Sequence, residues 1–563
     1  MTNRIAFVTY ETPFAPCGGV TAVMNYLPEM VESISGCPTT IITPYHFRIS
    51  KTTSLDRSLT QIAEIEVLYR SEQIKVEILE YVDRIQWVFL KASDKPPKET
   101  PFFAGERHPY DVSQDTSRIA LILARDALFF GVAASSALSN LDTDASWTIL
   151  MQDWEAATTV LISQGLKSAS PRTFFLTLHN SYDNGLTGNN LKQFGIDPKN
   201  CPGETVLNRA LPLVRNPIFT VSGQFALDMT EEVFQSRVLA PHLVEHLKSR
   251  LVGINNGAFT KLAIDREVIH QAKGGNFGPL SNWKQERKQA AIAALTAFQP
   301  DEERQLWGNS SKFCSQDAAW FIFAGRDDPR QKGFDVACRA VTRFLEKGNR
   351  AGFLFFPIPG DEGVAGLRFL RNLASQYPEN VLVIPAIFKE GFLAALQGSA
   401  YGVMPSFYEP FGMANEFYLN GCVAIGRATG GIIQQIVPLR SIPSFSKPAQ
   451  RKANTWHAII SPPTGLLYRE ADRFSSNEAD WMAINATDYR LDGSFPNRVE
   501  QRERIPLFKA MATALEGCIT DAVDLYQSQP QQYYQMLANG IEFIVNHFSW
   551  EQTARDYYQN LDH

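Results

Sequence analysis

The chain lacks the close cysteine pairs that mark a zinc site or a disulfide frame. Its seven cysteines, Cys17, Cys37, Cys201, Cys314, Cys338, Cys422 and Cys518, are scattered and odd in number, which suits reduced thiols in a cytoplasmic protein. It lacks a basic balance: a formal net charge of −6 over 563 residues argues against a nucleic-acid partner, because phosphate binding needs a cationic surface. Met1 runs within a few residues into "RIAFVTY", leaving no room for the charged lead and longer apolar core of a signal peptide. An uninterrupted membrane span is missing too. The best candidate, "IALILARDALFFGVAASSAL" from Ile119, is broken by Arg125 and Asp126, whereas a bilayer helix needs about twenty mostly apolar residues. A buried helix is expected there, and no transmembrane segment.

What the chain does have is a series of short apolar runs, each closed by a polar or glycine-rich tip. The first series is "IAFVTY", "TTIITPY", "WTILMQDW", "FFLTLHN", "IFTVSG" and "LVGINNG"; the second is "WFIFAGR", "GFLFFPIP", "VLVIPA", "YGVMPS" and "CVAIGRATGG". Runs this short and this continuously apolar predict parallel strands buried on both faces. Amphipathic patterns lie between them. Behind Gly19, apolar residues fall at Val20, Val23, Met24, Leu27, Met30 and Val31, and "KQERKQAAIAALTAF" (284–298) is a second helix. Alternation of this kind predicts an α/β fold, and the length exceeds one compact core. A polar stretch at 259–315 separates the two series as a linker or insertion, giving two doubly wound domains facing a cleft. Ligands are expected beyond the carboxyl ends of the strands, where the polar tips fall. Residues 440–500 are polar and loop-rich, with no assignable pattern.

Several tips carry chemistry. "FAPCGGVTAV" is a strand, a Gly18-Gly19 turn and a helix; free amides at a helix start make an anion site, although a plain tight turn reads the same way. "FAGRDDPRQKGFD" places Arg326 at a strand end and Lys332 six residues on. Two such cations could hold a diphosphate, Arg as a fork and Lys as a point charge; a solvated loop in which Asp327 and Asp328 pair them fits equally. "LHNSYDNG" puts His179 at a strand end, and "MQDWEA" does so with Asp153, where a structural histidine and an N-cap aspartate are the plainer readings. "PSFYEPFGMANEFYLNGCVAIGRATGGI" carries Glu409 and Glu416 seven apart, then a second glycine turn; helix N-terminal carboxylates favoured by the dipole are the bland alternative.

Taken in order, these pieces resemble the bacterial glycogen synthase and plant starch synthase family, retaining glycosyltransferases of the GT-B fold. The family's K-x-G-G-L loop is similar to "TYETPFAPCGGV", its D-W segment to Asp153-Trp154, its T-x-H-N segment to "LTLHN" and its domain-closing Asn-Gly to "GINNG". Its R…Q-K-G, E-P-x-G-L and R-A-T-G-G-L signatures are similar to Arg326 with "QKGFD", "EPFGM" and "RATGGI", and its late segments to "TGLLY" and "FSWEQTARDYY". Three features depart from the pattern: Pro16 stands where the family has its donor-phosphate lysine, the Arg-to-Lys spacing is one residue longer, and the segment after Glu409 is one residue shorter, which brings Glu416 into line with the second glutamate of the broader E-x7-E pattern.

The resemblance implies transfer of a hexose, glucose first, from an ADP- or UDP-linked sugar to an α-glucan or other glycan. It implies an acceptor-side domain at 1–258, a donor domain at 316–545, and a C-terminal helix at 546–563 crossing back to the first. Arg326 and Lys332 would meet the diphosphate, and Glu409, His179 and Asp153 the sugar. Gly18, Gly19, Phe411, Gly412, Glu416, Thr429, Gly430 and Gly431 would line the donor site. No D-x-D stands in a plausible donor site, so neither metal nor other cofactor is expected. A transferase using another sugar on a small-molecule, lipid or protein acceptor, and an inactive glycan-binding scaffold, are the alternatives.

Overall fold

The computed structural model describes residues 2–51, 53–93, 99–163, 171–301, 304–487 and 496–561. Residues 1, 52, 94–98 and 164–170 of the expected first domain, 302–303 of the expected linker, 488–495 of the polar stretch and 562–563 of the C-terminal helix lie outside the described residues. By internal contact the chain divides into two units. The first is Met1–Thr230 with Leu239–Gly257 and Trp550–His563; the second is Glu231–Val238 with Ala258–Ser549.

In the first unit the strands are β1 (Thr2–Thr9), β2 (Thr39–Pro44), β3 (Thr60–Tyr69), β4 (Glu72–Val82), β5 (Gln86–Ala92), β6 (Ala145–Gln152), β7 (Arg172–Leu178), β8 (Ile218–Thr220) and β9 (Leu251–Gly253). They form one sheet in the order β3-β4-β5-β2-β1-β6-β7-β8-β9. From β5 to β9 every neighbour is parallel. The continuous apolar runs of β1, β2 and β6 are buried along most of their length, as strands covered on both faces must be. The β3–β4–β5 meander is antiparallel, and no continuous run announces it, because one face of β3 and β4 is wet and their burial alternates.

The apolar segment after Ile119 is the helix Thr116–Leu141, long and apolar enough for a membrane but with 72% of that window buried inside the protein. Its interrupting charges answer each other: Arg125 Nη2 lies 2.6 Å from Asp126 Oδ1 and Arg125 Nη1 donates to Thr100 O at 2.7 Å. The helix Trp550–Leu561 also belongs to this unit. Trp550 stacks on Tyr26 at 5.5 Å, and Thr553 Oγ1 donates to Asn255 O at 2.7 Å.

The second unit holds β10 (Trp320–Arg326), β11 (Gly352–Ile358), β12 (Val381–Val383), β13 (Tyr401–Met404), β14 (Val423–Arg427) and β15 (Leu466–Tyr468), parallel throughout in the order β12-β11-β10-β13-β14-β15. Residues 259–315, expected as a linker or insertion between the domains, belong to this unit and supply the helices Arg266–Lys273, Gly278–Ala297 and Ser310–Cys314. The helix Gly278–Ala297 corresponds to the helix expected at 284–298; it buries only Leu280, Lys284, Ala291 and Leu295, an apolar stripe thin enough to hide that it packs into this unit. The polar stretch 440–500 likewise contributes the helices Lys447–Asn454 and Glu478–Ala486, and the start of Arg498–Arg502.

In each sheet the strand order reverses once. In the first unit β2 and β6 flank β1; in the second β11 and β13 flank β10. A crevice opens outside the carboxyl ends at such a switch point, which singles out the loops after β1 and β6, and those after β10 and β13.

Candidate functional site

At the switch point of the second unit, β10 ends in Arg326 and the chain folds into a tight loop. Arg330 N donates to Asp328 Oδ1 at 2.8 Å, and the amides of Gln331 and Lys332 donate to Asp328 O at 3.1 and 3.0 Å. Gly333 closes the loop with φ 65°, and a Cβ there would fall 2.2 Å from Pro405 O. Glycine therefore lets the helix Phe334–Glu346 begin against the loop that follows β13.

That second loop presents Glu409, which is 6% exposed. Lys332 Nζ lies 2.8 Å from Glu409 Oε2 and 3.0 Å from Oε1; Ser406 Oγ donates to Oε2 at 3.0 Å and Gln331 Nε2 to Oε1 at 3.4 Å. Phe407 N donates to Gln331 O at 2.7 Å, so the two loops are also tied backbone to backbone. Phe323, Phe334, Val403, Met404 and Met413 close a small pocket against the Lys332–Glu409 pair. Arg326 Nη2 donates to Asp361 Oδ1 at 3.0 Å, while Asp327 is buried against Arg498 at 2.6 Å.

The "RATGGI" turn packs under Glu409. Gly431 N donates to Glu409 O at 3.1 Å, and at Gly430, whose φ is 47°, a Cβ would fall 1.7 Å from that same oxygen. Thr429 is buried beside it. Buried Phe411 has its carbonyl held by Gln435 Nε2 at 2.7 Å, and Gly412, with φ 95°, turns the chain into the helix Ala414–Leu419. Glu416 is the third residue of that helix. It keeps part of its surface exposed, yet desolvation pushes its carboxyl up to about 7, with Lys332 opposing.

At the switch point of the first unit the glycine turn has already found an anion. Glu11 Oε1 accepts from Gly18 N at 2.8 Å, Thr21 N at 3.2 Å and Thr21 Oγ1 at 3.1 Å. The Gly18 amide, expected for a donor phosphate, is thus committed to the chain's own carboxylate, which caps the helix Gly19–Ser35. Gly19 is the open half of the turn: a Cβ there would meet nothing within 4 Å. An acidic residue between strand end and glycine pair is the sequence signal for such a cap.

Beside this loop Asp153 begins the helix Asp153–Ser163 with φ 62°, a costly conformation for a residue with a side chain. Its Oδ1 accepts from His179 N at 2.7 Å. His179 Nε2 lies 2.8 Å from Gln152 Oε1, and Gln152 Nε2 is spent on Leu150 O at 3.1 Å, so Nε2 carries the proton and Nδ1 is the ring's acceptor nitrogen. Burial holds the imidazole neutral, its pKa lowered to about 3. Asp153 moves the other way, pushed up to about 7 by burial, with the Glu11 charge adding and the His179 amide opposing. Glu155 is raised well above the carboxylate range by burial and then by Asp153, with Tyr110 beside both Glu11 and Glu155 and opposing the rise. Glu11, Glu155, Tyr110 and Gln152 are additions that sequence reasoning did not single out.

This cluster has a measurable consequence. A group with a raised folded pKa stabilises the fold fully below its unfolded pKa, and that contribution is lost as pH rises through the folded value. For Asp153 the window runs from 3.8 to about 7. Asp153→Asn keeps an oxygen for the His179 amide and a residue type that tolerates positive φ, but it cannot ionise. The variant is expected to melt above the wild type beyond about pH 7, the advantage vanishing toward pH 4. Equal melting temperatures across that range would show that Asp153 ionises as readily folded as unfolded.

No family model matches the chain. Among curated proteins it is 22% identical over 523 residues to the glycogen synthase of Kosmotoga olearia, spanning 90% of this chain and 97% of that one. It is 29% identical over 171 residues to a probable glycogen synthase of Methanocaldococcus jannaschii, a match covering 30% of either protein. Among solved structures, the catalytic domain of Starch Synthase IV from Arabidopsis thaliana, bound to ADP and acarbose, superposes with a TM-score of 0.68 at 18% identity, covering 99% of this chain and 98% of that one. The chain is thus similar over nearly its whole length to a glycogen synthase, and it shares the GT-B fold of the starch synthase catalytic domain.

Proposed function

We propose that the chain moves a hexose, glucose in the first instance, from a nucleotide diphosphate sugar to an α-glucan or other glycan, with retention of anomeric configuration, in the cytoplasm. The observation that carries this reading is the Lys332–Glu409 pair at 2.8 Å, a cation and a carboxylate delivered to one switch point by two interlocked loops. A donor offers them different partners. In the reaction the bond from the anomeric carbon to the diphosphate oxygen breaks, its electrons stay on that oxygen, and the acceptor hydroxyl forms the new bond as its proton is lost to the leaving diphosphate. Lys332 and Arg326 meet the charge that grows on the diphosphate, with Thr429 and the glycines 430 and 431 shaping the wall beneath. Glu409 accepts from sugar hydroxyls, and Glu416 reaches the nucleotide ribose. In the first unit, Asp153 and neutral His179 are assigned to sugar hydroxyls; the Glu11 cap leaves Gly19, not Gly18, as the glycine with room for a ligand.

The test begins with melting temperatures in ADP, UDP, GDP and their sugars. A nucleotide at a hundredfold excess over its dissociation constant stabilises the folded chain by about 2.7 kcal/mol, and one base should stand out. NMR of the glycoside formed from the matching α-linked donor should then show an α product. A β product refutes retention, and no shift with any nucleotide refutes the donor assignment. Because two side-chain cations serve the diphosphate, turnover is expected to persist in excess EDTA; abolition by the chelator with recovery on adding Mg²⁺ would put a metal in their place. Pro16 favours one second reading, an inactive glycan-binding scaffold, which wins if glycan binds and no donor does.

A further inference from the structure

The loop that carries Arg326 and Lys332 is bounded by two buried aspartates. Asp327, 1% exposed, follows Arg326 directly, and Asp335, 0% exposed, is the second residue of the helix that the loop opens. Each is held by an arginine from one short helix, Arg498–Arg502, whose two ends lie four residues apart and so share a face. Arg498 grips Asp327 as a fork, Nη2 to Oδ1 at 2.6 Å and Nη1 to Oδ2 at 3.3 Å. Arg502 Nη1 donates to Asp335 Oδ2 at 2.6 Å. Beyond these contacts, Arg502 Nη2 donates to Ile484 O at 2.7 Å and Thr487 O at 2.5 Å, Arg498 lies over the Phe369 ring at 4.8 Å, and Glu503 pairs with Arg339 of the helix Phe334–Glu346. The Arg502 guanidinium also lies 5.4 Å from the ring of Phe407, two residues ahead of Glu409.

We propose that Arg498 and Arg502 are positioning residues for donor transfer, a two-armed brace that clamps both ends of the Arg326–Lys332 loop and reaches the Glu409 loop through Phe407. Neither arginine is offered to a ligand: the side chains are 4% and 0% exposed. Two aspartates and two arginines cancel as a set, so the brace adds no net charge beside a site that must take a diphosphate. Buried ion pairs are weak sources of net stability compared with apolar packing. What this one does supply is a fixed distance between the loop ends, and displacement of a reacting group by about 1 Å can cost about 10²-fold in rate. The proposal rests on the donor reading given above.

Arg498→Lys keeps the charge but replaces the fork by a point; Asp327→Asn keeps the shape and serves where the first variant fails to fold. The expected result is faster hydrogen exchange at the amides of 328–333, with kcat lowered about 10- to 100-fold and the donor KM changed far less, because the braced lysine acts chiefly in the transition state. Lys284→Met is the control. It removes another buried cation of the same unit, one held by Gln397 O, Ser399 O and Gly421 O at 2.5 to 2.8 Å. Wild-type exchange and kcat in a folded Arg498→Lys protein overturn the proposal. So does an equal kcat loss in Lys284→Met at matched melting temperature, since general loosening would then account for it. If the wild type transfers no sugar from any nucleotide donor, the functional reading falls instead, and exchange at 328–333 still decides whether the brace exists.

Discussion

Replacing Lys332 with alanine is expected to cut turnover about 10²–10³-fold, the usual effect of losing one preorganised electrostatic donor, and to lower the melting temperature as well. The second effect follows from the pairing. Glu409 is 6% exposed, and without Lys332 it keeps only Ser406 and Gln331 as donors. Stranding one member of a buried pair costs about 3–5 kcal/mol; here the cost falls toward the lower end, because the Lys332 side chain is 24% exposed and water can reach in. Glu409→Gln gives the opposite pattern. It frees Lys332 from neutralisation, so the nucleoside diphosphate should bind at least as tightly as to the wild type while sugar transfer falls. Calorimetry with the diphosphate and a transfer assay with its sugar separate the two variants. Wild-type transfer by Glu409→Gln would reduce that carboxylate to a scaffold for the lysine.

Gly430→Ala is expected to be nearly as damaging, although it changes no functional group. A Cβ at this position would sit 1.7 Å from Glu409 O, a backbone atom, and φ is 47°. A clash with a flexible side chain can relax; this one cannot unless the Glu409 loop or the "RATGGI" turn moves bodily. The same motion would break the Gly431 N to Glu409 O bond at 3.1 Å. Loss of transfer by about 10²-fold should accompany a lower melting temperature. The discriminating measurement is the melting shift on adding diphosphate: it should shrink in Gly430→Ala because the pair beneath the loop is displaced. A variant with wild-type transfer would mean that the turn accommodates a methyl group, contrary to this geometry.

Both variants act on residues that the sequence made visible, and the reason is physical. Strands buried on both faces are continuous apolar runs, and the polar tips of those runs are where ligands meet parallel sheets, so Arg326, Asp153 and His179 could be placed at strand ends, and Lys332 and Glu409 in the loops beyond them, before any fold was known. Three things were hidden. The meander of β3 to β5 alternates between a wet and a dry face, and a search for continuous runs passes over it. Within 259–315 only the helix at 284–298 was legible, and its thin apolar stripe did not show that it belongs to a core. Tertiary partners were also beyond local reading: Arg498 on Asp327 spans 171 residues. The "QKGFD" loop told of cations but not of what holds them still.

The meander bears on how the molecule keeps to itself. Among the described residues, β9, β12 and β15, at three of the four sheet borders, are three residues long, too short to template another chain. The fourth border, β3, is ten residues long and would be the hazard. It carries exposed Glu64 and Glu66 on its wet face and a register shift between Gln61 and Ala63. Charge and irregularity on a border strand discourage pairing with a neighbour. Remove β3 and β4, and the border passes to β5, whose centre from Trp87 to Leu90 is buried. The meander is therefore the selvedge of the first sheet: it finishes an apolar weave that would otherwise take up a strand from the next molecule.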